Sequence, residues 1–232
     1  MKTSEQLDRP PTSYHENEIW TAFPSTIKWL QSERKIKQTP IERAQNYRKH
    51  RGTNATIILL SAACVEGFLV ECLKSFAIGY RFSPKDTIEG RLDHDLLKRI
   101  STARFREFPD LFRLMLGKPI SELVPQRKLI EGVKVLIDFR NGIAHARSII
   151  YETRAEDLED DVEYEIEKQY KEVHNYLQKE NLVYRDEEIF NDKTADHFAG
   201  LVKPYVDAVV SLLPAPQSDN VKALINFAFK SS

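Results

Sequence analysis

Apolar residues recur along most of the chain at intervals of three and four, the spacing of one helical face. From Pro24 to Lys37, Ile27, Trp29, Leu30 and Ile36 predict a first, modestly amphipathic helix. Thr39-Pro40 supplies a cap residue followed by proline at the first helical position, and so starts a second, longer helix. This helix is expected to break or bend near Arg51-Gly52, to resume at Ala55 and to end near Gly79. Its second half is apolar on nearly every side, as in a central helix buried by its neighbours. Glu66 is the anomaly there. The residues three and four positions away are Ala62, Ala63, Leu69 and Val70, so its carboxylate lies in an apolar wall and requires a cationic partner.

Shorter helices are predicted around Leu92 to Ile100 and Pro109 to Leu116, the second closed by Gly117-Lys118-Pro119. Ser121 to His145 reads as another long helix, with Leu129, Val133, Leu136, Ile137 and Ile143 along one stripe. Residues 156–180 admit two readings. Leu158, Val162, Ile166, Tyr170, Val173 and Leu177 recur mostly every four positions, whereas residues 162–167 alternate as a strand would; the length of the segment favours helix. A strong helix follows from about Asp192 to Leu213, accommodating Pro204 with a kink, and Pro214-Ala215-Pro216 stops it before a short terminal helix over Ser218 to Lys230. The chain therefore reads as all-α. Its organisation is a polar N-terminal arm over residues 1–22, a helical domain over 23–213, and a C-terminal helix and tail over 214–232.

Composition narrows the function classes. A length of 232 residues suits one large domain, or one domain with appendages. Eight glycines and eleven prolines are too few for a chain that turns every few residues, while 41% hydrophobic and 30% charged residues suit a globular, charge-covered helical protein. A net charge of −1 removes any case for a generally basic nucleic-acid binder and leaves only local basic patches. Cys64 and Cys72 are eight residues apart in a predicted helix, about 12 Å along its axis. A disulfide tolerates less than about 7 Å, so a reduced, cytoplasmic protein is expected. The N-terminus has no apolar signal core, and the greasiest run, Ala55 to Val65, is interrupted by Glu66 well short of the roughly 20 residues a membrane span needs.

Most familiar sites are missing from the sequence: there is no Gly-rich phosphate loop, no GxSxG elbow and no paired CxxC. His94, between Asp93 and Asp95, has neighbours that point in different directions on a helix, and a solvated or capping role is expected rather than metal binding. His174 and His197 lie in charged helical surroundings and are expected at the surface. One segment stands apart, Val135-Leu-Ile-Asp-Phe-Arg140-Asn141-Gly142-Ile143-Ala144-His145-Ala146-Arg147. Arg140, Asn141 and His145 place three groups suited to phosphate chemistry within one and a half turns. Asn141 and His145 share a face, but Arg140 and His145 are about 140° apart around a regular helix. Aiming both at one atom needs a long arginine reach, a distortion at Gly142, or a second copy across a two-fold axis. Spacing alone also allows a quieter reading, in which Arg140 pairs with Glu66 while Asn141 and His145 cap a helix end.

Arg140-Asn141-Gly142-Ile143-Ala144-His145 resembles the signature of the HEPN superfamily, an Arg, four to six intervening residues and a His, commonly with a polar residue directly after the Arg. The helix containing Ser61-Ala-Ala-Cys-Val-Glu66-Gly-Phe-Leu resembles the acid-bearing helix that packs beside the motif in many members. The resemblance implies a HEPN-like helical bundle with additional N- and C-terminal helices. It implies a homodimer in which two motifs meet in one cleft, and metal-independent endoribonuclease activity with no cofactor, as in toxins or defence effectors held by a neutralising protein partner. In that chemistry His145 is the general acid–base group, Arg140 offers its planar fork to the phosphorane oxygens, Asn141 orients the histidine or the phosphate, and Glu66 holds Arg140. RNA would be guided by Arg48, Lys49, Arg51 and Arg147, with further basic residues at Arg43, His50, Lys98, Arg99, Arg104 and Arg106. The competing expectation is a catalytically silent HEPN-like module that binds RNA, a nucleotide or a protein partner.

Overall fold

The computed structural model describes residues 19–34, 41–42, 46–79, 88–144, 171–183, 189–213 and 217–230. Among the described residues every regular element is a helix, so the chain is all-α. In chain order the α-helices are α1 (Phe23–Arg34), α2 (Tyr47–Gly79), α3 (Ile88–Thr102), α4 (Phe108–Leu116), the single turn α5 (Ile120–Leu123), α6 (Arg127–Ala144), α7 (171–179), α8 (Asp192–Val210) and α9 (Gln217–Lys230).

The molecule is arranged around α2. It packs against α8, α1, α6, α3 and α9, and α6 also packs against α8. Ile57, Ile58, Ala62, Val65, Phe68, Leu69, Cys72 and Leu73 are shut from solvent, which explains why this helix is apolar around most of its circumference. By length and composition alone, Tyr47–Ser75 could also cross a membrane. In this fold 56% of its most apolar stretch is buried inside the molecule. Ser61, the polar residue deepest in it, is satisfied by donating its hydroxyl to Ile57 O at 2.7 Å.

Three boundaries differ from expectation. The helix does not break at Arg51-Gly52: α2 runs unbroken through both. A mid-helix glycine costs only about 1 kcal/mol against alanine, and the burial of the turns that follow outweighs it. The described part of the predicted Ser121–His145 helix, up to Ala144, is two elements, because Pro125 brings no amide hydrogen and biases Val124 to extended backbone (φ −83°, ψ 115°). Ordered packing also begins inside the stretch expected to be an arm. Ile19–Ala22 form a 3-10 turn, and Trp20 inserts edge-on against Phe68 with ring centroids 6.1 Å apart. Gly67 permits this approach, since a Cβ there would stand 2.6 Å from Trp20 Cβ.

The remaining expectations are met more closely. α4 stops at Gly117, whose φ of +77° is the left-handed value that glycine accepts without strain. α8 is capped by Asn191, whose Oδ1 accepts from Thr194 N at 2.8 Å, and it continues through Pro204. Of the ambiguous segment, residues 171–179 are helix with Val173, Tyr176 and Leu177 buried; the alternating run 162–167 lies outside the described residues. In the C-terminal helix α9, Val221, Ile225 and Ala228 are buried, and it packs on α2, α1 and the Ile19–Ala22 turn. It therefore contributes to the core.

Candidate active site

α6 turns Val133, Leu136, Ile137 and Phe139 into the core, and this sets Arg140 and Asn141 at the border between core and solvent. Across from them stands Glu66, midway along α2. Arg140 Nη2 donates to Glu66 Oε2, and Arg140 Nη1 donates to Asn141 Oδ1 at 2.9 Å. The apolar surroundings of Glu66 thus receive the cation they call for, and it is Arg140. The pair is not sealed: 27% of the Arg140 side chain and 22% of the Glu66 side chain remain exposed. Burial lowers the pKa of Arg140 from its ordinary value, though a guanidinium keeps its charge throughout the accessible pH range.

α6 is continuous helix through Gly142 to Ala144. His145 and Arg147 lie outside the described residues. Asp138, two positions before Arg140, has its pKa raised by burial, with Lys134 opposing and Glu172 adding to the rise. It sits about 200° around the helix from Arg140 and belongs to another face.

Of the RNA-guiding residues proposed from sequence, the described ones, Arg48, Lys49 and Arg51, are not at the motif itself. Arg48 and Lys49 are exposed near the start of α2, and Arg51 is 15 residues, or about 22 Å of helix, from Glu66. A chain of rings nevertheless connects Arg51 to α6. Its guanidinium lies 5.8 Å from the Tyr47 ring and 5.6 Å from the Phe190 ring, and Phe190 lies 5.2 Å from Phe139, the neighbour of Arg140. Lys98, Arg99, Arg104 and Arg106 are exposed on α3 and just after it, and Arg43 is outside the described residues.

Residue types alone do not single out the network that anchors this ring chain. Arg34, its side chain 1% exposed, donates Nη2 to Asp196 Oδ1 at 2.5 Å and Nη1 to Asn54 Oδ1 at 2.6 Å; its Nε is 3.4 Å from Asp192 Oδ1, in ion-pair range. Asn54 Nδ2 donates to Phe190 O at 2.7 Å and to Asp192 Oδ1 at 3.0 Å. Three helices, α1, α2 and α8, are tied together there, and Phe190 is placed against Phe139. Its members are scattered over more than 160 positions and carry no local signal. Sequence reasoning also missed Tyr47, for which the signal is an aromatic directly before the basic run Arg48-Lys49-His50-Arg51.

Two histidines depart from expectation. His197 is half-buried, packed edge-on to Phe198, and its Nε2 shares a 2.8 Å hydrogen bond with the Tyr176 hydroxyl. Burial lowers the pKa of His197, with Glu180 weakly opposing, and pushes the Tyr176 hydroxyl up to about 12. His174 is partly buried too, with its Nε2 shut from solvent. Each lies next to a buried residue of its own helix, His174 beside Val173 and His197 beside Phe198. His94 and Asp95 are exposed as expected, and among the described residues no three His, Cys, Asp or Glu side chains gather as a metal site would require. Cys64 and Cys72 are buried free thiols, with burial pushing Cys64 up to about 12 and Cys72 well above its ordinary value. No family model, curated protein or solved structure matches this chain.

Proposed function

We propose that the protein is a metal-independent endoribonuclease of the HEPN type, acting in the cytoplasm as a toxin or defence effector, as a homodimer, and held in check by a protein partner. The observation that carries the reading is the Arg140 fork, held at the core boundary by Glu66 from one side and Asn141 from the other, five residues before His145. A guanidinium oriented at both Nη atoms and still open to solvent is pre-positioned to meet the charge that builds on a phosphorane. His145 takes the proton of the RNA 2′-hydroxyl or gives one to the leaving 5′-oxygen, both within reach of an imidazole near neutral pH. Two copies of the chain supply both roles and offset the 140° divergence of Arg140 and His145 within one chain. The products are a 2′,3′-cyclic phosphate and a 5′-hydroxyl.

The test is cleavage of single-stranded or looped RNA with a chelator present. The wild type is expected to cleave, and His145→Ala to lose roughly 10²–10⁴ in rate while keeping its helical content. DNA of the same sequence, lacking the 2′-hydroxyl, stays intact. Cleavage that requires magnesium, or that persists in His145→Ala, refutes the mechanism. One observation favours a second reading, a silent RNA-binding module: both Nη atoms of Arg140 already have protein partners. RNA binding without any cleavage, by a dimer that stays intact, would select it.

A further inference from the structure

We propose that Tyr47 is a stacking platform for a base of single-stranded nucleic acid, and that the strand runs from it along one face of α2 to the Glu66–Arg140 pair. This rests on the ribonuclease reading and gives it a substrate class, a single strand long enough to reach both ends. Tyr47 is 51% exposed, and the Arg51 guanidinium, itself beside Phe190, lies 5.8 Å from its ring. An exposed aromatic ring backed by a fixed cation offers a base its π-face and draws the adjoining phosphate. Residues 46–53 include Arg48, Lys49 and Arg51 and no carboxylate, so this end of α2 is positive in a chain whose net charge is −1.

Helix geometry gives the strand its course. Tyr47, Arg48 and Arg51 fall within about 100° of one another around α2, while Lys49 points away, about 200° from Tyr47. Arg48 and Glu66 are 18 residues apart, which is five whole turns, so they share a face about 27 Å apart. Between them Gly52 is exposed and Ala55, Leu59 and Ala63 are only partly buried, so on this face α2 itself carries small or apolar side chains and no charge. A stacked strand rises about 3.4 Å per nucleotide, so roughly eight nucleotides cover the distance.

The probe is fluorescently labelled single-stranded DNA, which has no 2′-hydroxyl and so reports binding without cleavage. Anisotropy titrations with the full chain compare oligonucleotides of about 12 and about 4 nucleotides, on either side of that span. The longer one is expected to bind more tightly, with an affinity that falls as salt rises. Tyr47→Ala should weaken it roughly 5- to 150-fold, and Tyr47→Trp should restore it. Arg48→Ala should reduce the salt slope by about one. Equal binding by wild type and Tyr47→Ala, or no binding of the longer strand, overturns the proposal. RNA cleavage that is lost in His145→Ala yet indifferent to Tyr47→Ala removes the platform alone. Tyr47-dependent binding by a chain that cleaves no RNA removes the ribonuclease and leaves the platform.

Discussion

Glu66→Gln keeps the shape of the side chain and removes the charge that Arg140 faces. An exposed ion pair contributes about 0–1 kcal/mol, and removing one partner of a fully buried pair costs about 3–5 kcal/mol. With 22% and 27% of the two side chains exposed, the Glu66–Arg140 pair lies between those limits and nearer the buried one. Asn141 Oδ1 remains as an acceptor for Nη1, and the new amide oxygen can accept from Nη2, so the arginine is not stripped of partners. The expected loss is about 1.5–3 kcal/mol. For a domain of this size that lowers Tm by roughly 3–12 °C. Urea unfolding followed by circular dichroism, on Glu66→Gln, Arg140→Met and the double variant, measures it. A coupling energy of about 1–2 kcal/mol is expected, since the two groups touch and distant sites would add. If each single change stays within about 0.5 kcal/mol of wild type and the two are additive, the pair does not hold α2 to α6 and the positioning argument for Arg140 fails.

Gly67→Ala sets helix propensity against packing: the methyl favours the helix by about 1 kcal/mol but meets Trp20 Cβ at 2.6 Å, and the net result should be a loss of about 1–3 kcal/mol in chemical denaturation, so any gain in stability would show that Trp20 is not seated on α2. Asn54→Leu strands Arg34 Nη1 and Phe190 O in the interior and should cost about 2–4 kcal/mol; an unchanged urea midpoint would show that the Arg34 network does not tie the three helices. His197 has its pKa held below 6.5 by burial, so as pH falls the unfolded chain takes up the proton first, and stability that is complete above about pH 6.5 is lost below it. His197→Gln should flatten the fall in Tm between about pH 7 and 5, whereas parallel profiles for variant and wild type would mean that the Tyr176–His197 bond does not carry this pH dependence.

The hydrophobic pattern by itself was enough to establish the all-α class, the central burial of α2, the stop at Gly117 and the need of Glu66 for a cation, because each follows from residues within a turn or two of one another. It also marked Arg140 as the outstanding arginine, though spacing alone left open whether it serves chemistry or Glu66. Local rules misjudged Arg51-Gly52 and Pro125. A glycine breaks a helix only if nothing buries the next turn, whereas at Pro125 the missing amide hydrogen and the extended backbone of Val124 end α5, a stop that the pattern of apolar residues passed over. The pairing of Glu66 with Arg140 was an expectation from the sequence that the tertiary structure bears out, whereas the seating of Trp20 on Gly67, the Tyr176–His197 bond and the Arg34–Asn54–Asp196 network were decided by tertiary structure alone. Periodicity says which side of a helix leaves water, but the partner a buried polar group meets depends on where two helices cross. For residues 74 or 162 positions apart, that crossing is set by the packing of the whole core.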